Sequence, residues 1–208
     1  MGAPLYYLSY LNGERAPYVC GTCEGNEGIF NRRVLATIDA TAHRTKPQNA
    51  EVGATSNRLL KSQPCLTRPE RLAKAISKGC AFLPSVHDGK RSPETWRAQQ
   101  LFCIDVDNDV ATRKRCGRDL PYTEAVMRAG RMGLPLLITY ESFSSTDANE
   151  RYRLVFALEE PTRDRGRAEA FGSALLAAYP EADRSSTELN RLFFGTNKEV
   201  LLWNRPLL

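Results

Sequence analysis

An α+β fold is predicted by three kinds of segment. Short, nearly continuous apolar runs at residues 101–104 and 134–140 read as buried strands. Residues 151–158 begin with the alternation of a strand that has one polar face, and residues 121–132 and 162–179 repeat apolar side chains at helical spacing.

Taken in order, residues 5–11 have the composition of a strand, ended by the turn signal Asn12-Gly13. From Glu14 to about Pro64 the chain is rich in Gly, Asn, Thr and Arg, with one strand signal at 33–38 and no evident chemistry. His43, set among Thr and Arg, is expected to be solvated. Thr67-Arg68-Pro69-Glu70 combines a capping residue, a first-turn proline and a glutamate three residues on; Leu72, Ala73, Ala75 and Ile76 follow on one side and Gly79 ends the helix. Residues 80–86 read as a strand, Asp88-Gly89 as a turn, and Ser92-Pro93-Glu94-Thr95-Trp96 as a short helical lead into 101–104. Tyr122, Ala125, Val126 and Ala129 mark a helix closed by Gly133, and Ala168, Phe171, Leu175 and Ala178 form the core side of another. A last strand is expected near 200–203.

The chain has 208 residues and is 42% hydrophobic, enough for one large domain with a sizeable core. It has no apolar segment of membrane-spanning length, and its first residues lack the basic stretch and cleavage site of a secretory signal. A cytoplasmic protein without a membrane partner is expected. The six cysteines are too scattered for a secreted disulfide scaffold, and Cys20-Gly21-Thr22-Cys23 has no second ligand pair at knuckle distance, so structural zinc is not expected. The formal charge of +5 is a mild excess, concentrated in Arg113-Lys114-Arg115-Cys116-Gly117-Arg118 and in the arginines at 151, 153, 163, 165 and 167.

The chemistry centres on Asp105 and Asp107, which follow the apolar run 101–104. Side chains at i and i+2 of a strand share a face, so the two acids leave the backbone about 6.6 Å apart at roughly 3.3 Å of rise per residue, close enough to share hard cations. Arg151 and Arg153 share a strand face in the same way, and two arginines together call for an anionic partner, either the carboxylates or a triphosphate. Where residues 134–140 end, Glu141-Ser142-Phe143-Ser144-Ser145-Thr146 offers hydroxyls and backbone N–H groups to phosphate oxygens.

An apolar strand ending in Asp-x-Asp, a later strand opening into a Ser/Thr loop, an Arg-x-Arg strand, and Asp183-Arg184-Ser185-Ser186 ahead of Asn190-Arg191-Leu192-Phe193-Phe194-Gly195 together resemble the archaeo-eukaryotic primase superfamily, specifically the primase-polymerase domains of bacterial, phage and mobile-element replication proteins. The resemblance spans residues 68–203. It implies an archaeo-eukaryotic primase-like fold, with an RRM-like catalytic sheet flanked by helices and an N-terminal α/β part, divided as 1–66 for that part and 67–208 for the catalytic core. It further implies template-directed nucleotidyl transfer (DNA primase, DNA polymerase or both) by a two-metal mechanism with Mg²⁺ or Mn²⁺ on Asp105, Asp107 and Asp183. NTP or dNTP and a single-stranded DNA template are the implied substrates, and a replicative helicase in the same polypeptide or as a partner is the implied company. The family's second motif, Ser-x-His, reads Ser142-Phe143-Ser144-Ser145 here, with the histidine's place falling on Ser144 or Ser145. Ser142, Ser144, Ser145, Arg151, Arg153 and Lys198 would then receive the nucleotide, and Lys90, Arg91, Arg113, Lys114, Arg115 and Arg191 would follow the nucleic acid. Two other classes fit the residues: a catalytically reduced domain that binds single strands or nucleotides, and a metal-dependent nuclease. A nicking nuclease needs a His-x-His pair, which His43 and His87 do not make, and Glu24-Gly25 follows no apolar run of the kind a topoisomerase-primase glutamate ends.

Overall fold

The computed structural model describes residues 8–10 and 33–203. The Asn12-Gly13 turn, the Cys20 and Cys23 pair and Glu24 lie outside the described residues. Strands and helices are mixed and every strand pairing is antiparallel. In chain order the elements are β1 (Leu8–Tyr10), β2 (Val34–Ala42), α1 (Asn49–Lys61), β3 (Cys65–Thr67), α2 (Pro69–Ser77), β4 (Cys80–Leu83), β5 (Ser85–His87), β6 (Trp96–Asp107), α3 (Val110–Cys116), α4 (Tyr122–Arg131), β7 (Leu136–Glu141), β8 (Arg151–Thr162), α5 (Arg165–Ala178) and β9 (Val200–Trp203). The main sheet has the order β1-β9-β7-β8-β6-β5, and a second, three-stranded sheet has the order β3-β2-β4.

Strand alternation divides the main sheet into two buried faces. Phe102, Ile104 and Val106 of β6 with Tyr152, Leu154 and Phe156 of β8 pack against α4 and α5 through Ala125, Ala129, Ala168, Leu175 and Tyr179. Leu101 and Cys103 with Val155 and Ala157 face the other way, against Val34 and Ala36 of β2, Leu72, Ala73 and Ile76 of α2, and Phe82 of β4. Asp105 and Asp107, with register partners Arg153 and Arg151, continue that second face beyond the cover of the small sheet. A polar end on a covered sheet face leaves a cleft.

The helices follow their caps. Asp109 accepts from the Thr112 N–H at the start of α3, and Asp164 accepts from the Arg167 N–H at the start of α5. Gly79 takes φ +85° after α2, and a Cβ there would run into the His43 carbonyl, so this turn requires glycine.

Four sequence expectations are corrected. His43 is 8% exposed, with Nε2 3.2 Å from Thr55 Oγ1 and its ring edge-on to Phe194. The apparently featureless stretch before Pro64 contains α1, which opens with the Gln48 N–H donating to Glu51 Oε2 at 2.9 Å and is tied to β2 by the two-pronged Arg58–Asp39 ion pair. Residues 80–86 are not one strand: the chain bends at Pro84, sending β4 to the small sheet and β5 to the main one. Thr67 belongs to β3, and Arg68 occupies the N-cap position of α2 without a side-chain cap. The small sheet takes β2 and β3 from residues 34–67 and β4 from beyond them, so strands from both sides of residue 67 build one layer.

Among the described residues, no helix is long and apolar enough to cross a membrane.

Candidate active site

A cleft of about 420 Å³ lies at the open end of the covered sheet face. One wall carries Asp105, Asp107, Arg151 and Arg153 from β6 and β8, with Ser142, Phe143 and Ser144 from the loop after β7. Lys46, just ahead of α1, Asn49 and Val52 from the first turn of α1, Arg91, Asp183 and residues 191–194 complete the lining.

Asp105 is the fixed point. It is 8% exposed, and its Oδ2 accepts from Arg153 Nη2 at 3.2 Å. Arg153 in turn donates from Nη1 to the Phe194 carbonyl at 2.7 Å and lies over the rings of Tyr140 and Phe193, 5.6 and 5.8 Å from their centroids. Burial works against the guanidinium charge, but Asp105 and Tyr140 together outweigh it and hold Arg153 more firmly protonated than usual. Arg153 therefore lines the cleft with both terminal nitrogens already engaged.

Asp107 is more open, with Arg151 Nε 3.7 Å from its Oδ1. Burial and the neighbouring Asp105 charge push its carboxyl above the ordinary aspartate value, against the pull of Arg151 and Arg153. Asp183 comes from a distant loop but is anchored to the same strand, its backbone N–H donating to the Asp105 carbonyl at 2.8 Å. Its carboxylate accepts from the Ser185 N–H and hydroxyl and meets Arg191 Nη2 at 3.4 Å. All three predicted acids thus line one cleft, each beside its own arginine.

Among the described residues, no group of three or more His, Cys, Asp or Glu side chains is arranged to hold a metal ion. The two acids of β6 nevertheless fit a cation. Asp105 Oδ1 is buried and has no hydrogen-bond partner, an arrangement that costs about 1–3 kcal/mol unless a donor or cation meets that oxygen. Burial first, and the Asp105 charge second, also raise the proton affinity of Asp107.

The other predicted residues divide. Ser142 and Ser144 line the cleft with their hydroxyls 3.3 Å apart, whereas Ser145 is buried and its Oγ accepts from the Arg151 N–H at 3.0 Å. Lys198 stands behind this loop, donating to Glu141 Oε2 at 3.0 Å and to the Ser145 carbonyl. Arg91 reaches the cleft, held by Ser56 Oγ at 3.0 Å and by the Asn190 carbonyl, while exposed Lys90 does not line it. Arg113, Lys114 and Arg115 lie on α3, away from the cleft, with Arg113 paired to Asp119 at 2.7 Å.

Sequence reasoning missed Lys46, Asn49 and Val52. The one local signal was the Gln48-to-Glu51 spacing of a helix start, which places Lys46 just ahead of a helix but says nothing about what it faces. Phe193 and Phe194 were legible as motif neighbours, not as the residues that hold Arg153 in place.

No known protein family profile matches the chain, and no curated protein matches its sequence. Among solved structures, it is similar to the AEP domain of the primase-polymerase from cyanophage S-2L, at 10% identity over 86% of this chain and 83% of that one, with a TM-score of 0.39. A likeness of that size carries no weight for activity.

Proposed function

We propose that this chain is a metal-dependent nucleotidyltransferase of the archaeo-eukaryotic primase type, acting on a single-stranded DNA template with NTP or dNTP. The observation that carries the reading is the unpartnered, buried Oδ1 of Asp105 beside Asp107 on the floor of a cleft that Asp183 also lines. Asp105 and Asp107 would hold Mg²⁺ or Mn²⁺. Such ions, when bound, favour the alkoxide form of an attacking 3′-hydroxyl and neutralise charge on a departing pyrophosphate.

The chain's own residues then have separable tasks. Arg153 fixes the Asp105 rotamer, and Arg151 and Arg191, each partly exposed, are placed to meet phosphate oxygens. Ser142 and Ser144 offer neutral hydrogen bonds, Ser144 being one of the two serines on which the histidine's place in the family's motif falls. Phe143, Leu192 and Val52 give the cleft apolar surface for a base or sugar, and Lys46 adds a cation to the lining. The RRM-like description of the sheet belongs to this reading.

A second reading is favoured by the arginine beside every cleft acid. Carboxylates already balanced by guanidinium groups can persist without metal, as in a domain that binds nucleotides or single strands and has lost catalysis. Incubation with single-stranded templates, labelled NTPs or dNTPs and Mg²⁺ or Mn²⁺, with and without primer, separates the two. Extended products that disappear in a folded Asp105→Asn variant support nucleotidyl transfer. Strand binding without incorporation under any of these conditions overturns it in favour of the reduced domain.

A further inference from the structure

A second concave surface, of about 560 Å³, lies behind the loop that presents Asp183, between α3, α4 and the end of α5. Arg115, Arg118, Arg128 and Arg184 line it, with Glu181 as the acid among them. Glu181 is 2% exposed; Arg128 donates to both its carboxylate oxygens, at 2.8 and 3.0 Å, and Arg118 reaches Oε1 at 3.2 Å. Glu124, on α4, accepts two further hydrogen bonds from Arg118, at 2.9 and 3.3 Å, and one from Arg128, at 3.2 Å. These two carboxylates account for two of the four guanidinium charges. Arg115 spends its Nη2 on neutral acceptors, the carbonyls of Glu181 and Ala182 at 3.1 and 3.0 Å, and exposed Arg184 has no hydrogen-bond or ion-pair partner among the described residues.

We propose that this surface is a second phosphate-binding site, outside the cleft, that holds backbone phosphates of a nucleic-acid strand. Two guanidinium groups without a carboxylate, on one concave surface whose other arginines are already balanced, lack an anion, and the planar N–H forks of arginine suit phosphate oxygens. Two features favour a strand over a free phosphate ion. The surface is open rather than enclosing, and the exposed Lys114 of α3 extends the positive charge beyond it. Arg184 also directly follows Asp183, so a strand whose end reached the cleft would pass its next phosphates across this surface. That last step rests on the nucleotidyl-transfer reading; the charge pattern does not.

The test uses the full chain and a fluorescein-labelled single-stranded oligonucleotide, followed by anisotropy over a salt series, with wild type, Arg115→Gln/Arg184→Gln, and the charge-matched control Arg131→Gln/Arg163→Gln outside the concavity. If two phosphate contacts are lost, the slope of log affinity against log salt becomes shallower by about 1.4 in the first variant, at about 0.7 per phosphate for a single strand. The control's slope stays within about 0.7 of the wild-type value, half of that difference. Equal slopes in wild type and the first variant overturn the proposal, as does an equal change in both variants, which marks general charge attraction. Thermal stabilisation of wild type by inorganic phosphate, absent in Arg115→Gln/Arg184→Gln while the strand slope is unchanged, assigns the surface to free phosphate and likewise overturns it. Arg184→Gln alone, which removes no intramolecular bond, must shift the slope in the same direction should the double variant fold poorly. Nucleotide incorporation is not the readout, so failure here is distinct from failure of the proposed activity.

Discussion

Asp105 on β6 and Arg153 on β8 are register partners, and the guanidinium that meets Asp105 Oδ2 at 3.2 Å is also pinned to the Phe194 carbonyl at 2.7 Å. The pair is shielded, with side chains 11% and 15% exposed. Removing the arginine leaves a buried carboxylate without a counter-ion, so Arg153→Met, which keeps most of the packing on Tyr140 and Phe193, should lower stability by about 2–3 kcal/mol, toward the low end for breaking a buried pair. On an Asp105→Asn background the same change should lose most of that effect. Urea unfolding of the four proteins in the cycle measures it, and equal penalties on both backgrounds would show that Arg153 acts by packing alone.

Glu181 supplies a pH signature. Burial pushes its carboxyl up, but hydrogen bonds and charge from Arg128, with Arg118 behind, bring it below the ordinary glutamate value. A carboxyl with a folded-state pKa below its unfolded value contributes stability that is present above the unfolded pKa and is lost as pH falls through the folded one. Glu181→Gln should therefore destabilise the chain at pH 7 by on the order of 2 kcal/mol and flatten the decline in stability below the ordinary glutamate pKa. Chemical denaturation at stepped pH gives both; parallel curves for wild type and variant would contradict the linkage.

Two glycines should respond in opposite directions. A Cβ on Gly195 would lie 2.7 Å from the Cys80 carbonyl oxygen and 2.9 Å from the Gly79 carbonyl carbon, backbone atoms that lie where the chain turns from α2 into β4 and cannot rotate away. Gly195→Ala should cost about 2–3 kcal/mol by overpacking, and should loosen Phe194 and with it Arg153. Gly53, inside α1 with no atom within 4 Å of its would-be Cβ, should gain about 0.5–1 kcal/mol as alanine. Melting temperatures of the two variants moving the same way would count against this account.

How far the sequence could be read depended on whether the determinant was local. Asp105 and Asp107 were legible because a strand's period of two puts them on one face whatever surrounds them, and β6 obeys it. Their arginine partners were legible as a pair, but the register that sets Arg153 against Asp105 and Arg151 against Asp107 depends on strand pairing across about fifty residues. The role of Arg153 turned on Phe194, a further forty residues along, whose carbonyl engages the guanidinium. α1 was invisible for a different reason: only Thr55 and Leu59 are buried on it, leaving too thin an apolar stripe to show as periodicity, and it is anchored by the polar Asp39–Arg58 contact instead. His43 was misjudged because its polar sequence neighbours are not its neighbours in space, where Phe194 and Thr55 enclose it.

Ser144 and Ser145, neighbours in the loop after β7, are separated by their partners. Ser144 lines the cleft, and its only hydrogen-bonding contact among the described residues is the Ser142 hydroxyl at 3.3 Å. Ser145 is turned inward, where its Oγ accepts the Arg151 N–H at 3.0 Å at the point where β8 begins. The first is free to donate to a phosphate; the second shapes the strand end that carries Arg151. Ser144→Ala should raise the nucleotide KM by about 2- to 12-fold, corresponding to roughly 0.5–1.5 kcal/mol for one neutral hydrogen bond, with no change in the urea midpoint. Ser145→Ala should lower stability by about 1–2 kcal/mol, the effect of leaving a largely buried N–H without its acceptor, and should alter KM only to the extent that Arg151 shifts. Arg151→Ala sets the upper limit, since it removes a charged contact and should raise KM more than Ser144→Ala does. Steady-state kinetics and unfolding on the same preparations decide it: a KM effect confined to Ser145→Ala, with Ser144→Ala silent, would move the phosphate contact to the inner serine and reverse the assignment.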